Sequence, residues 1–336
     1  MLGPGRRAPS TTTLTNKEKI MAIVEDEAAA RTSTARVVAP PTARRPKARK
    51  SFLPVALVAP AVVLLVLFTV APAIYALILS FLQMKVGSGL LGGGATEVFA
   101  GFANYVTTLT SGEFWAGLGR MLIVALIGVP ATIFFATLFA LCLDAKRARL
   151  VGFTRLAIFL PYAVPGVVAS LLWGFMYLPA TSPIGGQIIN YFGTTGIFFS
   201  VTNVAVWGVV GFNMVILYTA VRSLPADLFE AAELDGASEL QIAVRIKLPL
   251  IAPAITMVAL FSVIGALQLF NEPTTLKPLA NAISSTWVPL MRVYTEAFVN
   301  NSIYEGAASS FILIIMTVSA TVLVNVVGRR IAGRQH

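Results

Sequence analysis

The sequence predicts an all-α polytopic membrane protein with six transmembrane helices, on three observations. Of its 336 residues, 57% are hydrophobic and only 12% charged, whereas soluble domains average roughly 25% charged. Apolar residues gather in runs of about 20 or more, long enough to cross a hydrocarbon core of roughly 30 Å as helices. Alternating segments of about 10 residues, the mark of a membrane β-barrel, are absent.

Residues 1–50 are rich in Ala, Pro, Thr and Arg without apolar periodicity, and are expected to form a disordered basic tail. Lys17-Glu18 stands shortly before Met21, and one codon choice for that pair matches a bacterial ribosome-binding sequence. Translation is therefore expected to start at Met21, with residues 1–20 an upstream extension. No signal peptide is read, because the next apolar run is too long for one and Arg44, Arg45, Lys47, Arg49 and Lys50 precede it.

A transmembrane domain is expected over residues 51–330. Its spans are read at Leu53–Leu82, Trp115–Leu143, Leu156–Leu178, Val201–Val221, Ile251–Phe270 and Ala307–Val327. Between the first two, Gly87, Gly89, Gly92, Gly93 and Gly94 suggest a flexible stretch over 84–112 with little fold of its own. Residues 271–305 are long and polar, and Trp287, Tyr294 and Tyr304 in them read as interfacial anchors ahead of ligand contacts. No internal repeat is found.

The net charge of +10 does not mark a nucleic-acid surface, since eleven of the 25 Lys and Arg precede residue 51 and most others flank apolar runs. The N-terminal tail, residues 144–155, residues 222–249 and the C-terminal tail hold 21 basic residues. The opposite segments keep only Lys85, Arg120, Lys277 and Arg292. That split places both termini and the 222–249 loop in the cytoplasm. Cys142, the lone cysteine, reads as packing within a span. The one histidine is the last residue, His336, so neither a His-based metal site nor a His general base is expected.

The 222–249 loop has its own logic. Pro225 suits a first helical turn, and Asp227 and Glu230 complement the helix dipole. Leu228, Ala231, Ala232 and Asp235 fall at spacings of three and four, so two alanines make a shallow face that another surface can approach. Gly236 can adopt the left-handed conformation that ends a helix. Ser238 with Gln241 reads as a capping box opening a second helix, which Pro249 stops. Arg245 and Lys247 near its C-terminus suit the dipole. Physics alone reads this equally as a docking device or as a plain interfacial hairpin.

The spacing is more specific than the physics: Glu230-Ala231-Ala232, then Gly236 four residues after the last alanine, then Leu248-Pro249 twelve after that glycine. This stretch resembles the EAA loop of permease subunits in type I ATP-binding-cassette importers. Three further segments resemble the maltose-type carbohydrate importers: Leu160-Pro161-Tyr162-Ala163-Val164-Pro165, Leu269-Phe270-Asn271-Glu272-Pro273 and Tyr304-Glu305-Gly306-Ala307-Ala308-Ser309. The resemblance covers roughly residues 52–330. Where that family usually has Gly-Gly-Pro after Asn-Glu-Pro, this chain has Thr274-Thr275-Leu276-Lys277-Pro278-Leu279. It also lacks the large outer domain and extra N-terminal spans of the enterobacterial maltose subunit.

The resemblance implies a permease subunit that forms half of the translocation pathway of an ATP-driven di- or oligosaccharide importer. Coupling to the ATPase would run through Glu230, Ala231, Ala232, Asp235, Gly236 and Ala237. The implied partners are a second homologous permease, two ATPase subunits carrying ATP and Mg, and an extracytoplasmic sugar-binding protein. No catalytic residue, metal or cofactor is expected in this chain, which has no Gly-x-x-x-x-Gly-Lys-Ser/Thr phosphate loop. It is not expected to be an enzyme.

Sugars are held by hydrogen bonds to hydroxyls and by aromatic faces. Polar residues at membrane depth usually face a cavity or another helix. Trp207, Phe212 and Asn213 in the fourth span, with Gln268, Asn271 and Glu272 at the end of the fifth, offer that chemistry. Phe212 and Gln268 lie near sugar-contact positions of the maltose-type family. Packing and interhelical hydrogen bonds would use the same residues, and Glu272 could serve as an outer gate or pair with Lys277. Two alternatives stay open: an importer permease for another solute, such as polyamine, phosphate or amino acid, and a stand-alone secondary transporter or channel.

Overall fold

The computed structural model describes residues 53–86, 94–186 and 188–332. The expected tail, the Met21 start and Gly87, Gly89, Gly92 and Gly93 lie outside them. The chain divides into units 1–63 and 64–336. Of the first, residues 53–63 are described, and they are helical and contain Pro60.

In chain order, α1 (Leu53–Leu65) leads through a π turn at Val66–Val70 into α2 (Ala71–Ser80). Strands β1 (Leu82–Val86) and β2 (Ala95–Phe99) follow, then α3 (Ala103–Thr110) and α4 (Gly112–Asp144). Next come α5 (Val151–Ala163), α6 (Gly166–Tyr177) and α7 (Gly196–Arg222). The loop contributes α8 (Asp227–Leu234), α9 (Glu239–Ile242), a π turn at Ala243–Lys247 and α10 (Leu248–Leu250). Then come α11 (Ala252–Leu267), α12 (Asn271–Leu276), α13 (Pro289–Tyr294) and α14 (Ile303–Ala332).

Among the described residues, four helical stretches are long and apolar enough to cross a membrane: Ala56–Ser80, Gly112–Asp144, Gly196–Arg222 and Ile303–Gly328. Two bent pairs raise the number to six if each counts as one span: α5 with α6 at 98°, and Glu239–Leu250 with α11 at 69°. The third span, expected over Leu156–Leu178, is therefore bent within its length. Val164 precedes Pro165, and a residue before proline is driven out of the helical region; it sits at φ −80°, ψ 127°.

Two π turns each stand one residue before a proline. Ala71 N–H reaches Val66 O ahead of Pro72, and Leu248 N–H reaches Ala243 O ahead of Pro249. A proline ring crowds the carbonyl four residues back, and the wider turn makes room for it. Pro249 accordingly does not end its helix as expected. The helix continues to Leu250 and turns at Ile251.

The core lies between α4, α7 and α11. Ala136 and Ala140, both fully buried, pack with Met214, Leu217 and Val258. Small residues one turn apart let membrane helices approach closely, where packing rather than water exclusion supplies the attraction. Gly211 does the same between α7 and α5, because a Cβ there would collide with the Ile158 carbonyl.

The described parts of residues 84–112 hold regular structure where little was expected. β1 and β2 pair antiparallel from Leu82↔Phe99 to Val86↔Ala95. Asn104 Nδ2 donates to Ser80 O and Leu82 O at 2.9 and 2.7 Å, and Tyr304 Oη donates to Glu97 at 2.9 Å. The expected anchors divide as well. Trp287 is buried beside Phe198 and Tyr304 is buried at the start of α14, while Tyr294 remains half exposed. Residues 271–299 fold back as short helices, and that return burys Trp287 among Leu118, Leu276 and Met291.

Candidate functional site

A cavity of about 370 Å³ opens between α4, α7 and the broken end of α11. On α7 its lining residues are Thr202, Ala205, Val206, Val209, Phe212 and Asn213, a stripe at helical spacing. On α4 they are Val124, Gly128, Val129 and Thr132; on α11 Phe261, Ser262, Gly265 and Ala266. The helix ends at Gln268, and α12 starts at Asn271, so Gln268, Leu269, Asn271 and Glu272 enter the lining from the break.

Five of the six residues expected to contact solute, Phe212, Asn213, Gln268, Asn271 and Glu272, lie in this wall. Trp207 does not. It stands five residues before Phe212, about 140° away around a helix of 3.6 residues per turn, and packs edge-on against Trp173 at 5.9 Å. Glu272 makes no ion pair with Lys277 among the described residues.

The wall also holds groups that the sequence reading passed over. Tyr162 of α5 stacks on Phe212 with ring centres 4.7 Å apart and planes 16° apart. It lies in the Leu-Pro-Tyr segment already singled out. Thr202 and Ser262 bring hydroxyls. Thr202 follows the same helical stripe as Val206, Val209 and Asn213, a period legible without coordinates.

Three polar atoms of the wall are buried without a protein partner: Thr202 Oγ1, Asn213 Oδ1 and Ser262 Oγ. Asn213 spends its amide on Val209 O at 3.2 Å, which leaves the oxygen as a free acceptor. Each unmet buried group costs about 1–3 kcal/mol; these three lie behind the accessible surface of the cavity, and each side chain must rotate before it can meet a guest.

The 222–249 loop forms the second candidate. Gly236 has φ +84°. Its N–H reaches Glu233 O and the Ala237 N–H reaches Ala232 O, both at 2.9 Å, the paired closure of a Schellman terminus. Ser238 and Gln241 then exchange side-chain and backbone bonds as a capping box. Pro225 sits just before α8 rather than in its first turn. Glu230, Ala231, Asp235 and Gly236 are exposed, and Ala232 and Ala237 half-buried. Asp235, Gly236 and Ala237 border a depression of about 430 Å³ with Gln241, Arg245 and Ile246. Leu234 and Leu240 stand beside it 90% and 73% exposed, apolar surface without a partner in this chain.

Tertiary pairs brace the loop. Asp144, the last residue of α4, has a buried carboxylate that accepts from Lys247 at 2.6 Å and Arg222 at 3.5 Å, gripping both flanks of the loop. Lys247 also lies 4.8 Å from the Phe229 ring centre. Lys146 bonds Glu233 through its ammonium and Glu239 through its backbone N–H. The Glu233 hydrogen bond raises the Lys146 pKa above its ordinary value.

Residues 109–335 match the family described as the binding-protein-dependent transport system inner membrane component. The chain is similar to the sn-glycerol-3-phosphate transport system permease protein UgpA of Shigella flexneri, at 28% identity over 290 residues, covering 83% of this chain and 95% of that protein. Its counterpart in Salmonella choleraesuis (strain SC-B67) is 28% identical over 297 residues with the same coverage. Among solved structures, a bacterial ABC transporter involved in the import of the acidic polysaccharide alginate contains a similar chain. Its TM-score is 0.71 at 18% identity, covering 83% of this chain and 96% of that one. At that identity the likeness speaks for the fold.

Proposed function

Because the chain belongs to the family of binding-protein-dependent transport system inner membrane components, we propose that it lines half of the translocation pathway of an ATP-driven importer for sugars or related polyols. The observation that carries the solute class is the cavity wall, with its Tyr162–Phe212 pair and the polar side chains of Gln268, Asn271 and Glu272. The relatives' names add support, since glycerol phosphate and alginate are both polyhydroxylated. Family membership sets aside a stand-alone secondary transporter.

In this reading the 222–249 loop faces the cytoplasm with both termini and docks in a groove of a separate ATPase subunit that holds ATP and Mg. A second, homologous permease supplies the other half of the pathway. Exposed Leu234 and Leu240 and the depression at Asp235–Ala237 suit such a contact. ATPase closure moves α8, and the Asp144 pairs carry that motion to α4, α7 and α11, whose faces line the cavity. The cavity opens to one side and then to the other. A cationic solute such as a polyamine is the second reading, favoured by Glu272 in the wall.

The test is uptake by the complete reconstituted transporter. Gln268→Ala and Phe212→Ala should each raise the half-saturating solute concentration about fivefold, the worth of roughly 1 kcal/mol, without lowering assembly. Unchanged uptake kinetics in both variants would move the solute path off this wall.

A further inference from the structure

The cavity's charge is one-sided. Among the described residues, Glu272 is the only Asp or Glu of its lining, and no Lys or Arg lines it. Among the described residues its carboxylate has no ion pair. Lys277, the basic residue nearest in sequence, is exposed and outside the lining. The other polar groups are neutral: Gln268 and Asn271 carry amide donors and acceptors alike, and Tyr162 a hydroxyl, so the one fixed charge comes from Glu272. Asn213 donates from its amide to Val209 O, and its oxygen is buried without a partner. Thr202 and Ser262 bring hydroxyls, which donate or accept as a guest requires.

An anionic guest is held best by arginine or lysine, and neither lines this cavity among the described residues. A carboxylate beside it in a poorly screened cavity repels it instead. We infer that Glu272 sets the charge class of the solute, so that the path takes uncharged or cationic polyhydroxy molecules and excludes phosphorylated or uronic ones. This rests on the reading of the cavity as the solute path. It separates the chain from relatives whose names carry anionic solutes, although their sequence and fold are similar.

The experiment measures the cavity's field without knowing the solute. In the complete reconstituted transporter, Cys142→Ser removes the exposed native thiol, and Ala266→Cys places one in the wall. Modification by a trimethylammonium-ethyl methanethiosulfonate and by its sulfonate counterpart is followed by the intact mass of this chain. Each rate is normalised to that of a small thiol in solution. The cationic reagent should be favoured about tenfold, Glu272→Asp should keep that preference, and Glu272→Gln should bring the ratio close to one. Equal or anion-favouring rates with Glu272 present, or a ratio that Glu272→Gln leaves unchanged, overturn the inference and leave the solute-path reading standing. Uptake unaffected by Phe212→Ala and Gln268→Ala overturns that reading and the inference with it, whatever the ratio.

Discussion

The loop and the cavity flank the same helix, α11, and treat polar groups in opposite ways. On the loop side they are paired: Asp144 with Lys247 and Arg222, Lys146 with Glu233, Ser238 with Gln241. On the cavity side Thr202, Asn213 and Ser262 each keep a buried atom unmet. A fully connected network holds one shape, which suits a part that must transmit force. Unmet groups favour whatever satisfies them, which suits a part that must take up a guest and release it. The contrast predicts that changes in the loop alter coupling and leave the cavity's preferences intact, and conversely.

The largest effect on coupling is expected at Gly236. A valine at φ +84° would sit in a region that β-branched residues scarcely populate, at a cost of about 1–2 kcal/mol or more, and would open the Schellman closure. Gly236→Val should insert normally, yet lower solute-stimulated ATP hydrolysis of the reconstituted transporter about tenfold, with the Ala266→Cys reagent ratio unchanged. A shifted ratio would break the separation of the two regions.

Asp144→Asn comes next. It leaves Lys247, itself largely buried, without its carboxylate, and losing one member of such a pair costs about 3 kcal/mol. Amide exchange across residues 222–250 should quicken and coupling weaken. Adding Lys247→Met should recover part of both, because the stranded charge is then gone. No recovery would mean that Asp144 acts through Arg222 instead.

Trp207→Ala sharpens the cavity's outline. It should lower thermal stability through the lost Trp173 contact while half-saturation for uptake stays within about twofold, against about fivefold for Phe212→Ala. Equal effects of the two would redraw the wall to include both faces of α7.

The smallest effect belongs to Lys146→Ala. An exposed ion pair is screened by solvent and contributes little, so exchange in the loop should change little. The pKa of this lysine is raised in the fold from an ordinary value of 10.5. Its contribution is therefore fully present below that value and lost as pH rises through the higher one, and loop exchange should be insensitive to the pair from pH 6 to 9. A clear transition within that window would assign the brace to another group.

The apolar runs and the loop's end signals were legible in the sequence because their causes are local. Helix length follows from composition. Gly236 and the Ser238–Gln241 box act on backbone groups within five positions of themselves, and they adopt the geometry that their residue types allow. The EAA spacing is similarly contained in one segment. Trp207 and Phe212 lie on different faces of α7, as the helical period alone implies, and Trp207 packs on Trp173 outside the cavity lining.

Other features had no local cause. The extended conformation of Val164 is a property of one dipeptide, but the 98° bend it permits depends on what α5 and α6 pack against. Trp287 and Tyr304 looked like anchors because an aromatic residue in a polar loop has that composition; the return of residues 271–299 buried Trp287, and α14 buried Tyr304. Asp144 sits 78 and 103 positions from the cations it joins, and Tyr162 meets Phe212 only because Gly211 lets α5 and α7 close together. Residue types by themselves determined which segments are helical and where the loop's helices stop, since backbone hydrogen bonds and side-chain periodicity are settled within a turn or two. The tertiary structure alone decided which polar atoms are paired and which are left open around a cavity, because that depends on groups brought together from segments far apart in the chain.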